Sequence, residues 1–320
     1  MVLIAVVAAS VAALLWFRGP DWGSVAHALA AMSWSWALIA VALNLASALG
    51  RGLAWRTVVE QAVPPPHPRL LDVFSAFFVG IFANGVLPGR VGEVARVGVL
   101  VRRMQPRTGL WPPLLGSVVA HRLLEIFPAV GLFVWVLAAA KIPHWGHLAL
   151  LSVLVGACLL LALGAVAARR HEHVPPPAAG RIRIVLARVR QGLGVLRTPG
   201  AAMVALGLQT LAWLLQLFAV WVAMRAFHLA LPLTAAAAVL ALMNVALILP
   251  LWPGNVGLQQ AAIALPLLAY GVSYAHGFAY GIGLQAIESS VGYAGGMVFL
   301  AREGLTLGRL RRTVPPRQAS

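Results

Sequence analysis

The sequence predicts an all-α polytopic membrane protein with about six full transmembrane helices and two re-entrant helical hairpins in an inverted repeat. Three observations carry this expectation. Of 320 residues, 61% are hydrophobic and 10% are charged, and the mean hydropathy is +0.88. A soluble domain carries about 25% charged residues, so this chain has more apolar surface than a water-facing fold can hide. The apolar residues also fall in runs of bilayer length. Finally, two of those runs are broken at membrane depth by turns of one pattern, Pro88-Gly89-Arg90-Val91-Gly92 and Pro253-Gly254-Asn255-Val256-Gly257.

A full helical span needs about 20 apolar residues. Residues 1–17, 33–50, 112–140, 147–169, 199–226 and 275–300 meet or approach that length. The first run has no basic segment ahead of it and no small-x-small cleavage site before Arg18, so it reads as a retained helix rather than a signal peptide. Residues 70–103 and 232–271 read as the two hairpins. Each is apolar up to its Pro-Gly turn and apolar again after it. Proline removes a helix donor and glycine frees the backbone. Such a break is tolerated inside a membrane only where protein buries it or where it lines a wet cavity.

Charge sets the orientation. There are 24 basic and 8 acidic residues, giving a net charge of +16, and every basic residue except Lys141 is arginine. The loop 51–69 with Arg51, Arg56 and Arg69, then Arg102, Arg103 and Arg107, the loop 170–198 and the tail 302–320 concentrate the arginines, whereas loops 141–146 and 227–231 hold one lysine, Lys141, and no arginine. Positive loops stay in the cytoplasm. All four basic segments can do so only if 70–103 enters and leaves on the cytoplasmic side and 232–271 on the opposite side. Both chain termini then lie in the cytoplasm, and Arg18 is a mild exception. Residues 1–320 form one transmembrane domain, whose halves, about 1–140 and 147–301, each read span, span, hairpin, span. Inverted repeats with matching broken helices mark transporters, with the binding site at the breaks. Nucleic acid is excluded as a partner, because the positive charge sits between apolar runs. The stretch from Arg181 to Arg197 has apolar residues at near-helical spacing, which predicts an amphipathic helix on the inner leaflet. Cys158 is the only cysteine and lies in an apolar run, so no disulfide or thiolate metal site is expected. No His, Asp and Glu cluster has metal-ligand spacing, and no cofactor is expected.

Glu93, Glu125 and Glu288 fall at membrane depth, where an ionisable group is costly unless paired. Arg90, Glu93 and Arg96 follow one another at steps of three, roughly on one helix face. The helix after Gly89 would present free N–H groups and a positive dipole end, both suited to an anion. Arg122 and Glu125 are three residues apart and can pair, or line a cavity. Glu288 has no arginine nearby in sequence and is a candidate for proton coupling. Asn84, Asn255 and Gln260 supply neutral polar groups at the breaks. Pro88, Gly89, Gly92, Pro253, Gly254 and Gly257 make the breaks themselves.

These residues carry a family resemblance. The run Asn84-Gly-Val-Leu-Pro-Gly-Arg-Val-Gly-Glu-Val-Ala-Arg96 resembles the signature of the lysylphosphatidylglycerol synthase transmembrane region, a flippase-like family of integral membrane proteins. His121-Arg122-Leu-Leu-Glu125 is similar to its Glu-Arg-x-x-Asp element, with His for Glu and Glu for Asp. Pro253-Gly-Asn-Val-Gly-Leu-Gln-Gln260 is similar to its Pro-Gly-Gly-x-Gly-x-x-Glu element, with Asn255 for Gly and Gln260 for Glu. The resemblance covers roughly residues 30–302 and implies a protein of the bacterial inner membrane that handles or translocates lipids, without the aminoacyl-transferase domain of the synthases. A non-enzymatic lipid flippase follows as the leading expectation. Its substrate is an amphipathic, anionic lipid, a phospholipid or polyprenyl phosphate, moved by alternating access with Arg90 and Arg96 on the head group. The alternative is a membrane enzyme, or a scaffold for a lipid-biosynthesis partner, acting on a lipid-linked substrate such as a hopanoid or lipid-linked sugar.

Overall fold

The computed structural model describes residues 20–87, 91–104, 109–169, 189, 191–248 and 255–303. Among them are ten α-helices and no strand. In chain order the helices are α1 (Trp22–Ala30), α2 (Trp34–Ala62), α3 (Leu70–Val86), α4 (Gly92–Arg103), α5 (Trp111–Ala139), α6 (His144–Arg169), α7 (Pro199–Ala226), α8 (Leu233–Ala246), α9 (Leu258–Leu268) and α10 (Tyr274–Glu303), with a 3-10 turn at Gly194–Arg197.

Trp34–Ala62, Trp111–Ala139, His144–Gly164 and Pro199–Ala226 are long and apolar enough to cross a membrane. They correspond to four of the six expected spans. The expected run 275–300 falls within α10, a helix of 30 residues that is not among these four; Gln285, Glu288 and several glycines dilute its apolar character. The expected first span, 1–17, lies outside the described residues. On α6, Leu148, Leu151, Val155, Leu159, Leu163 and Val166 are exposed, and only 11% of its apolar window is buried. A continuous apolar surface of that kind fits contact with lipid tails.

Two local expectations need correction. The segment after residue 50 is not a loop: α2 continues to Ala62. No helix breaker occurs before Pro64, and Arg56 Nε pairs with Glu60 Oε1 at 2.7 Å, one turn on. The connection 18–32 contains α1, which Asp21 caps by accepting bonds from the Gly23 amide at 3.1 Å and the Ser24 hydroxyl at 2.6 Å. Those two donors, Ser24 foremost, hold the Asp21 carboxyl below the usual carboxylate range. The amphipathic helix expected over 181–197 lies mostly outside the described residues. At its described end Leu193 and Val195 are buried among Val58, Ala120, Leu124 and Ala205.

The chain separates into two compact units. The first gathers residues 1–45, 130–154 and 214–291, the second 46–129, 155–213 and 292–320. The boundaries fall inside α2, α5, α6, α7 and α10, so each of these helices contributes a stretch to both units.

In the second unit α3 and α4 form an antiparallel helical hairpin. Asn84 Oδ1 accepts a bond from the Gly92 amide at 2.8 Å, and Asp72 lies 3.9 Å from Arg103 at the open end. Gly80 is required where the two helices approach, because a Cβ there would stand 3.0 Å from the Gly92 carbonyl oxygen. Trp55, Val73, Phe77, Val97, Leu100 and Leu114 fill the core behind this hairpin.

In the first unit α8 packs against α9. Residues Ala235 to Met243 are buried without a break, as expected of a helix enclosed on all sides. The turn before α9 runs through left-handed backbone, with φ 44° at Asn255 and 91° at Gly257. Glycine takes that conformation freely, and asparagine is the commonest substitute. The Gly257 amide then donates to Gln260 Oε1 at 2.6 Å, which secures the first turn of α9. α10 crosses α9 closely at Gly277 and Gly281, where a Cβ would meet the Ala264 and Gln260 Cα atoms at 3.1 Å. This small-x-x-x-small spacing is a recurrent packing device of membrane helices.

Candidate functional site

The second unit brings charged side chains from three helices together. α4 supplies Glu93 and Arg96, α5 supplies Arg122 and Glu125, and α2 supplies Arg51. Arg96 Nη2 lies 2.6 Å from Glu93 Oε2. Glu93 Oε1 also pairs with Arg122 Nη2. Arg122 Nη1 lies 2.5 Å from Glu125 Oε2, and Glu125 Oε1 lies 3.9 Å from Arg51 Nη1. The result is an alternating row, Arg96, Glu93, Arg122, Glu125, Arg51, with one positive charge in excess.

Helix spacing explains the row. Glu93 and Arg96, like Arg122 and Glu125, are three residues apart and therefore neighbours on one helix face. Contact between α4 and α5 then joins the two pairs. Aromatic faces seat the two ends: the Arg96 guanidinium lies 4.8 Å from the centre of the Trp55 ring, and that of Arg51 lies 5.8 Å from Trp213. Such stacking stabilises a cation most when it is removed from water. His121, adjacent to Arg122, is buried; its Nε2–H donates to the Arg51 carbonyl at 3.2 Å, and its ring packs on Phe77.

The members differ in access. The Arg96 side chain is 5% exposed, and Glu93 is 22% exposed. The Arg122 side chain is 51% exposed. Arg122 lies eleven residues into α5, about 17 Å along its axis, so an exposed cation sits well inside a spanning helix. The Arg96 side chain is therefore enclosed, whereas the Arg122 side chain is half-exposed.

The polar groups of the first unit are of another kind. Glu288 Oε1 accepts from Gln216 Nε2 at 2.6 Å, and Oε2 accepts from Gln259 Nε2 at 3.4 Å. Asn44 Nδ2 donates to the Ile287 and Glu288 carbonyls, each at 3.3 Å. Gln260 donates to Gln285 Oε1 while it accepts from the Gly257 amide, so both ends of its side chain hold the fold together. Neutral amides meet the Glu288 carboxylate, in contrast to the arginine row of the second unit.

Of the candidates read from sequence, Glu93, Arg96, Arg122 and Glu125 come together, with Asn84 anchoring the hairpin that carries two of them. Asn255, Gln260 and Glu288 belong to the first unit. Arg90, Pro88, Gly89, Pro253 and Gly254 lie outside the described residues. Four contributors were not anticipated: Arg51, Trp55, Trp213 and Gln216. Arg51 and Trp55 were readable as helix neighbours, since nothing between Gly50 and Pro64 stops the helix. Gln216 was marked only by being an amide in an otherwise apolar run. Among the described residues no group of three or more His, Cys, Asp or Glu side chains could hold a metal ion.

A family model described as the lysylphosphatidylglycerol synthase TM region matches residues 2–296. No curated protein and no solved structure matches the chain.

Proposed function

The chain belongs to the lysylphosphatidylglycerol synthase transmembrane-region family, and on that premise we propose that it translocates an anionic lipid across the bacterial inner membrane without converting it chemically. The observation that carries the reading is the half-exposed Arg122 in a row whose other members are more enclosed. The row as a whole carries one positive charge in excess, which is costly at membrane depth. A phosphate-bearing head group relieves that cost, since the planar guanidinium can offer two parallel N–H donors to phosphate oxygens. Arg122 exchanges carboxylate oxygens for phosphate oxygens while Glu93 stays paired to Arg96 and Glu125 to Arg51. Phospholipids and polyprenyl phosphates both present this chemistry.

In this reading the hairpins α3–α4 and α8–α9 are re-entrant, entering from the cytoplasmic and external faces respectively, and both termini are cytoplasmic. The loop charges support that orientation. The helix lengths support it too: α3 has 17 residues and α4 has 12, against about 20 for a full span.

The test is equilibrium binding of a phosphate-bearing lipid to purified protein. Arg122→Ala is expected to weaken binding roughly 10- to 100-fold, the loss of a charge-assisted contact. Arg122→Lys keeps the charge but not the fork and is expected to fall between. Unchanged affinity in Arg122→Ala would remove Arg122 from the binding site.

A further inference from the structure

The first unit holds a cavity of about 590 Å³ where α1 meets the end of α7 and the start of α10. That is the size of a small-molecule pocket. Its polar lining is Asp21, Ser24, His27, His228, Ser273 and His276, so three of the nine histidines of the chain converge there. In the proposed orientation these segments lie on the external side. Bonds between the segments fix the walls. The Ser33 amide donates to the Ala226 carbonyl at 2.8 Å, and His228 Nε2–H donates to the Ala31 carbonyl at 3.0 Å. His276 Nε2–H donates to the Phe227 carbonyl at 2.9 Å. His228 also takes left-handed backbone, with φ 57°. That conformation is uncommon away from glycine, and strain of this kind gathers where a ligand is held.

The lining defines the ligand. A bond to a carbonyl requires the proton on Nε2, so in the neutral rings of His228 and His276 Nδ1 is an acceptor. The Ser24 hydroxyl gives its proton to Asp21 Oδ2 at 2.6 Å, which leaves its oxygen to accept. Asp21 adds a carboxylate, and no lysine or arginine stands among the described lining residues. Acceptors and negative charge therefore outweigh donors. An anion finds no opposite charge here. A hydroxyl group supplies one donor and leaves the carboxylate unanswered. An ammonium supplies three donors and a positive charge. Among the described residues no cluster is arranged to hold a metal ion. We propose that this cavity binds a small organic ammonium ion, at a site that shares no residue with the charged row. Ala28, Ala31 and Phe227 complete the lining and offer apolar surface to the organic part of the ligand.

The experiment is binding of benzylamine and of benzyl alcohol to the purified full chain, read by saturation-transfer NMR at neutral pH. The two probes share a ring and differ in carrying an ammonium or a hydroxyl group. Wild type is expected to bind benzylamine about 3- to 10-fold more tightly, the worth of a charge-assisted contact to an exposed carboxylate. Asp21→Asn keeps an acceptor for the α1 cap and removes the charge, so it is expected to bring the ratio close to one. His228→Asn tolerates the left-handed backbone and is expected to lower the ratio partway; it decides the matter if Asp21→Asn does not fold. Added phosphatidylethanolamine that displaces benzylamine, where phosphatidylethanol does not, assigns the ammonium to a lipid head group. Retention of benzylamine against both lipids assigns it to a free amine. A wild-type ratio near one, or a ratio unchanged in both variants, overturns the site.

Discussion

At the scale of single residues, the cost of burying charge organises this protein. Arg96 is tolerable where it stands because Glu93 neutralises it and the Trp55 ring covers it. Removing one member of such a pair is far worse than never having had it, since the remaining charge stays buried. Glu93→Gln, nearly isosteric, is therefore expected to destabilise the folded protein by about 3–5 kcal/mol, read from thermal unfolding in detergent. A loss below about 1 kcal/mol, the range of an exposed pair, would contradict the enclosed position of Arg96. Glu288 poses the complementary case, a carboxylate among Gln216, Gln259 and Asn44, with the Tyr280 phenol as its titratable neighbour. If protonation of Glu288 drives transport, Glu288→Gln flattens a pH-dependent transport rate. Matching pH profiles in wild type and variant would exclude that role. Sequence reached Glu93, Arg96, Arg122 and Glu125 because their spacing of three is visible in one dimension. It did not reach Arg51, which joins the row only when α2 folds against α5, or Trp213, whose ring α7 places beside the Arg51 guanidinium.

At the scale of elements, both broken segments are held by side-chain amides, though by different routes. Asn84 reaches across to the Gly92 amide at the start of α4, whereas Gln260 reaches back to the Gly257 amide at the start of α9. The replacement of a glycine by Asn255 keeps the left-handed backbone of the second turn. The Pro-Gly pattern announced both breaks, and the antiparallel course of α3 and α4 follows from it. The length of α2 was hidden because arginine density was read as a loop, although helices accept arginine readily when a carboxylate stands one turn away. The re-entrant reading of α3–α4 makes a direct prediction. In a Cys158→Ala background, Arg69→Cys and Arg103→Cys are expected to react with a membrane-impermeant thiol reagent from the same, cytoplasmic side. Labelling from opposite sides would make the segment a full crossing.

At the scale of the whole chain, the two units differ in chemistry. By sequence, the ranges of the second unit hold every arginine except Arg18 and Arg225. The proposed orientation, with the basic ends of the long helices in the cytoplasm, rests on the positive-inside rule. The fold class was legible from hydropathy and charge alone, because the bilayer leaves so few ways to satisfy a backbone. The partition into two units was not, since it cuts through the long helices instead of following the two halves of the sequence. Family membership places the chain among integral membrane proteins, and the arginine row supplies the reason for proposing an anionic lipid as the substrate.

The central claim is movement of an anionic lipid without chemical change. The direct measurement is a quenching assay on proteoliposomes containing a tail-labelled, phosphate-bearing lipid, with the recovered lipid resolved by chromatography. Wild-type protein is expected to bring label from the inner leaflet within reach of an external quencher faster than protein-free vesicles do, with the lipid recovered intact and Arg122→Ala slowed at least tenfold. Exchange no faster than in protein-free vesicles, or recovery of a converted lipid, would contradict the account.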